Sequence, residues 1–259
     1  MIIQATEHEF IMITQHDHGY LAGEFAAHFS KVFIGADSYL KDFLIAVYEH
    51  DRGWIELDQV PIWNEAFQYP YTFMDYPMQP RLSAYAQGLD EIEAKSEYAG
   101  LLCSLHYNSI MKNSPLSECI EFYKNEAARQ QRIREKLRLN DDEEKGLAHH
   151  FQLLQYCDDL SLYVCLNEPG VDKDKEHPWY KDGFLNYKTL YPNQSVPVAN
   201  WVSSHDIVLT PFPFGREFSN VIRLKRIQKS VVIQKGIAEA YDQAEMEEYP
   251  ISFRIAGSL

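Results

Sequence analysis

From about residue 81 to residue 167 the chain carries three long stretches, at about 81–112, 115–139 and 141–167, in which apolar residues recur at steps of three and four. That period belongs to helices buried along one face, so the middle of the molecule has to be a set of packed helices. Two upstream stretches share the period. From His18 to Phe33 the stripe is Leu21, Ala22, Phe25, Phe29, Val32 and Phe33; from about Asp37, a suitable N-cap, to His50 it is Leu40, Phe43, Leu44 and Val47. A helical core over about 15–170 follows.

The ends of the chain read differently. Residues 1–14 alternate weakly around Glu7 and His8, as a short β-hairpin would. DIVLTPFPF (206–214), NVIRLKRI (220–227), SVVIQKG (230–236) and ISFRI (251–255) read as strands, with a short helix at about 236–246. The expected fold is mainly α, with a small antiparallel sheet formed by the N-terminal hairpin and the C-terminal strands. With 259 residues and no Pro/Gly/Ser-rich linker, a single domain over 1–259 is expected, its β-rich C-terminal decoration covering about 205–259. Two segments are irregular: 54–80, crowded with proline and aromatic residues and read equally as a plug for one end of the bundle or a lid, and 171–204, with Pro178, Pro192 and Pro197.

A formal charge of −14 argues against binding duplex nucleic acid, which needs a basic face. The basic run RQQRIREKLR (129–138) contains Glu135 and is followed by acidic residues, so it reads as a solvated helix face. Cys103, Cys119, Cys157 and Cys165 lie in apolar helical patterns without a CxxC spacing and read as reduced core residues. There is neither a signal-peptide pattern at the start nor an apolar run of about 20 residues, so a cytoplasmic protein acting on a small molecule, without a membrane partner, is expected.

Four polar residues interrupt this picture because they sit on the apolar stripes. His18 opens the first, His50 and Asp51 continue the stripe of Leu44 and Val47 before Gly53 lets the chain turn away, and Asp158 lies among Leu147, Phe151, Leu154, Leu162 and Cys165. Its neighbour Asp159 falls nearer Gln152, Gln155 and Tyr163. Burying an ionised carboxylate costs several kcal/mol unless a cation or donors compensate it. Two imidazoles and two carboxylates suit a divalent ion, zinc, iron or manganese, with positions left for water and substrate. His106 shares the face of Ala99, Leu102, Cys103 and Ile110, and His150 points inward more than His149. For each single histidine the plain alternative is a hydrogen-bonded core residue, and His50 could simply complement the negative end of its helix. His16 is an alternative to His18 but falls on the other side of the turn.

His18 in QHDHGYLAGEF, His50-Asp51 in YEHDRGW and Asp158 in QYCDDLSL together resemble the HD-domain superfamily of metal-dependent phosphohydrolases. HDRGWIELDQVP with TPFPF also resembles an uncharacterised bacterial family known only as a domain of unknown function. The superfamily resemblance implies an HD-like helical core in which His18, His50, Asp51 and Asp158 bind a first metal and Asp51 can bridge to a second. It implies a metal-activated water that attacks a phosphate ester or phosphoanhydride. His106 takes the place of a further ligand or general acid, His150 that of another ligand, and Arg52 is a candidate for holding substrate phosphate, though a structural ion pair with the adjacent Asp51 explains it equally. Two other functions fit the same residues: a di-iron oxygenase on the same scaffold, and a non-catalytic binding or regulatory module. The Gly-Tyr-Pro extension of cyclic dinucleotide phosphodiesterases is not present.

Overall fold

The computed structural model describes residues 1–35, 38–191 and 193–257, so the expected N-cap Asp37 and Pro192 lie outside the described residues. In chain order the elements are β1 (Ile2–Ala5), β2 (Glu9–Ile13), α1 (Gln15–His28), α2 (Lys31–Ile34), α3 (Leu40–Glu49), α4 (Trp54–Gln59), β3 (Trp63–Asn64), β4 (Tyr69–Pro70), α5 (Met78–Lys95), α6 (Glu97–Met111), α7 (Ser117–Leu137) and α8 (Asp141–Leu166). Short 3-10 turns over 173–190 lead to β5 (Val198–Trp201), β6 (Asp206–Thr210), β7 (Phe218–Gln228), α9 (Lys229–Lys235), α10 (Ile237–Gln243) and β8 (Met246–Arg254).

The mainly-α expectation is corrected by the sheet. Six strands in the order β1-β2-β7-β8-β6-β5 form one mixed sheet, in which β8 enters between β7 and β6, antiparallel to the first and parallel to the second. Its side chains belong to the main core: Ile207, Leu209, Ile222, Leu224 and Phe253 pack in one cluster with Leu21, Phe25 and Leu160 of the helices. The molecule is therefore α+β, with helices layered on a large sheet, and not a helical bundle carrying a small antiparallel one. The weak alternation of the N-terminal hairpin has a cause here. On β2, Ile11 and Ile13 face the main core while Phe10 and Met12 face a second cluster with Val232, Ile237 and Tyr241, so both faces are covered.

Three element readings are also revised. The stripe from His18 to Phe33 is broken at Phe29, whose backbone is extended and bridges Phe214, and Ser30 then caps α2 through the Phe33 amide. The stretch 81–112 is two helices, separated at Ser96, whose hydroxyl accepts from the Ala99 amide to start α6. SVVIQKG is helical as α9, despite its β-branched residues. Only Val232 of that run is buried, against the second cluster, and a helical turn is what brings it there once β7 has ended.

Candidate metal centre

Close helix packing assembles the centre. Gly19 and Gly23 form a small-residue face on α1 against α3; a Cβ on Gly23 would fall 2.2 Å from the Tyr48 ring. Gly53 and Gly88 let the corner after α3 meet α5 at backbone distance, since a Cβ on Gly88 would lie 2.6 Å from the Gly53 amide nitrogen. These approaches carry His18 of α1, His50 and Asp51 at the end of α3, His106 of α6 and Asp158 of α8 to one point.

At that point the donor atoms converge. His18 Nε2 lies 3.0 Å from Asp158 Oδ1 and 3.7 Å from Asp51 Oδ2, and His50 Nε2 lies 3.5 Å and 3.7 Å from the same two oxygens. Two ligands each about 2.1 Å from one ion stand about 3.0 Å apart at right angles and about 3.4 Å apart at the tetrahedral angle, so this spacing fits a single divalent ion. His106 Nε2 is 3.6 Å from Asp158 Oδ2. His18, His50 and Asp51 form one grouping able to hold a metal ion, and His50, His106 and Asp158 form another. Asp158 thus presents one oxygen to His18 and His50 and the other to His106. Asp51 is held by neighbours, its Oδ2 accepting from Gln15 Nε2 at 2.9 Å and its Oδ1 from the Tyr107 hydroxyl at 3.4 Å.

The imidazoles are oriented from behind. Ser161 donates its one hydroxyl proton to the Asp158 carbonyl and sits 2.7 Å from His18 Nδ1, so Nδ1–H donates to Ser161 Oγ and Nε2 is the ring atom turned to the cluster, hydrogen-bonded to Asp158 Oδ1. His50 Nδ1 donates to the Val47 carbonyl at 2.8 Å, and its Nε2 is buried without a hydrogen-bond partner. Both histidines are completely buried.

Electrostatics point the same way. Burial by itself pushes the His50 imidazole down, but the charges of Asp51 and Asp158 outweigh it and raise it to about 9. Burial likewise pushes Asp158 up and is overcome by His18 and His50, which hold its carboxyl well below the usual carboxylate range. The cluster therefore demands positive charge at its centre. His106 differs: burial dominates and holds its imidazole below the ordinary value, so it is neutral at neutral pH.

Other expected site residues lie elsewhere. His150 Nδ1 is 2.8 Å from the Tyr98 hydroxyl and its ring stacks on Phe43 at 4.5 Å, in neither ligand grouping. Arg52 is engaged by Glu91 at 2.5 Å and Glu49 at 2.8 Å and lines a separate groove with Gly53 and Gly88. Asp159 is turned to the Tyr187 hydroxyl, and His16 is exposed. The four cysteines are free and buried. Sequence reasoning missed Gln15, Tyr107 and Ser161. Ser161 could have been found, because it follows Asp158 by three residues and so shares its helix face.

A cavity of about 390 Å³ opens on Asp51, His106 and Asp158. Its walls include Trp54, Phe73, Met74 and Tyr85, so the proline- and aromatic-rich stretch after Gly53 lines the approach to the cluster. A family model described as a protein of unknown function (DUF3891) matches residues 1–229. The chain belongs to that family. Every residue of the cluster falls inside the DUF3891 match. No curated protein and no solved structure matches the chain. Among the described residues, no helix is long and apolar enough to cross a membrane.

Proposed function

We propose that the protein is a metal-dependent hydrolase of phosphate esters or phosphoanhydrides, with His18, His50, Asp51 and Asp158 as ligands of the ion and His106 beside it. The observation that carries this reading is the His50 Nε2 atom, fully buried, without a hydrogen-bond partner and at ligand spacing from two carboxylates that border a cavity. The order of His18, His50-Asp51 and Asp158 along three helices adds support through its resemblance to HD-domain phosphohydrolases. A divalent ion held there lowers the pKa of coordinated water toward neutrality and polarises a phosphoryl oxygen.

The chain's own residues supply the rest. Gln15 and Tyr107 fix the Asp51 carboxylate, and Ser161 and the Val47 carbonyl fix the two imidazoles. Neutral His106 lines the cavity and is placed to take a proton from the attacking water. The water oxygen bonds to phosphorus, the bond to the leaving oxygen breaks, and that oxygen leaves with the proton His106 returns.

Elemental analysis of protein purified without chelator and then reconstituted should give one or two equivalents of metal, with turnover of p-nitrophenyl phosphate or nucleotides lost in Asp158→Asn. Less than about a tenth of an equivalent after reconstitution sinks the reading, since a built site of this donor set binds tightly. A di-iron oxygenase is the second reading. It is favoured by one fact, that the two Asp158 oxygens face different histidines, Oδ1 toward His18 and His50 and Oδ2 toward His106, and a paramagnetic or visible di-iron signal without hydrolysis would select it.

A further inference from the structure

The cavity over the metal cluster is bordered by one cationic side chain among the described residues, Arg81. It stands on α5 one turn before Tyr85, whose ring stacks at 4.1 Å on Tyr107, the residue that donates to Asp51. Arg81 is 8% exposed. Its Nη1 donates to the Phe73 carbonyl at 2.7 Å and its Nη2 to Met78 Sδ at 3.2 Å, while Nε is buried without an acceptor.

This environment is unusual for an arginine in this protein. Arg52 and Arg129 each bind two or more carboxylates, whereas Arg81 has no ion pair among the described residues. A guanidinium stays charged at any physiological pH and is costly to bury without a counter-charge. The planar fork with unused N–H groups is suited to a phosphate or carboxylate.

We propose that Arg81 anchors the anionic group of the substrate, and that the substrate is a small organic monophosphate with an apolar body. The phosphate part rests on the hydrolase reading above. The rest comes from the walls: Trp54, Phe73, Met74 and Leu162 offer apolar contact and no second cation, which disfavours polyphosphates. A cavity of about 390 Å³ is at the small end of ligand sites.

The test is binding of phenylphosphonate, measured by calorimetry on wild type, Arg81→Gln and Arg81→Lys, each as purified and after zinc reconstitution. Arg81→Gln should weaken binding about ten- to hundredfold at unchanged metal content, with Arg81→Lys between, because hydrogen bonds to a charged group are lost. Wild type should bind phenylphosphonate at least about tenfold more tightly than benzyl alcohol, a comparison that stands even if Arg81→Gln fails to fold. Equal binding by wild type and Arg81→Gln, no binding by either, or equal affinity for benzyl alcohol overturns the proposal. Turnover with an unchanged KM in Arg81→Gln would keep the hydrolase and remove Arg81 from its substrate site. Absent turnover with phenylphosphonate binding that collapses in Arg81→Gln would do the reverse.

Discussion

Gly88 and Ser161 act on the centre without belonging to its ligand set. A methyl group on Gly88 would meet backbone, the Gly53 nitrogen at 2.6 Å and its Cα at 2.8 Å, so no side chain can swing aside to admit it. Gly88→Ala should lower stability by about 1–3 kcal/mol, as overpacking of a tight contact does, and the melting temperature measured by circular dichroism should fall accordingly. Ser161→Ala removes the acceptor for His18 Nδ1–H while leaving the ligand in place. Metal affinity, measured by competition with a chelating dye, should fall about ten- to hundredfold, with the melting temperature of the metal-free protein little changed. An unaltered affinity would mean that Ser161 does not orient His18. His150 shows the limit of residue-level reading: its inward direction was legible, but Tyr98 and Phe43, supplied by other helices, make it a core residue away from the ligand groupings.

Among the elements, α5 and α7 are joined by a ladder of charges that the basic run 129–138 supplies. Arg129 binds Asp90, Glu93 and Glu126, and Arg132 binds Glu93 as well, so the run is an interhelical seam and not merely a solvated face. Arg132, aided by Arg129, lowers the Glu93 carboxyl below the ordinary glutamate value of 4.5, against a smaller upward push from burial. A depressed folded-state pKa gives a contribution that is fully present above the unfolded value and lost as pH falls through the folded one. Wild type should therefore lose stability as pH drops below about 4.5, and Glu93→Gln should lose less over the same range. Urea unfolding at pH 6 and at pH 3.5 checks this; parallel losses in the two proteins would exclude Glu93 as a source. Element boundaries were less legible than the elements. The break at Phe29 is made by Phe214, some 185 residues away, and nothing in the local period of three and four announces it.

For the whole molecule the decisive piece is β8. It is the last strand in the chain, yet it lies inside the sheet, bonded to β7 on one side and β6 on the other. Truncation after Gln243 would leave every cluster residue in the chain and remove Ile251 and Phe253 from the main core. The truncated protein should fail to fold cooperatively and should bind no stoichiometric metal, as judged by thermal circular dichroism and elemental analysis. A truncated chain that melts like the full one would show that the helices stand without the sheet. The same dependence explains why a helical reading of the first 170 residues gave the wrong fold class: those helices share one core with the strands.

By itself the sequence determined most of the buried side of each helix, because the spacing of apolar residues reports a face, although Val32 and Ile110 share that spacing and are exposed. That placed His18, His50, Asp51, His106 and Asp158 inward and set Asp158 apart from Asp159. Only the tertiary structure decided what each face meets. It turned the two Asp158 oxygens to different histidines, paired Arg52 with Glu49 and Glu91, and put Arg81 on the cavity wall. Arg81 did carry a signal, since it stands in one stripe with Tyr85, Gly88 and Ile92, but a stripe names no partner. Strand pairing was hidden for the same physical reason: period and propensity are properties of a segment, whereas sheet order and ligand convergence are set by contacts between segments far apart in the chain.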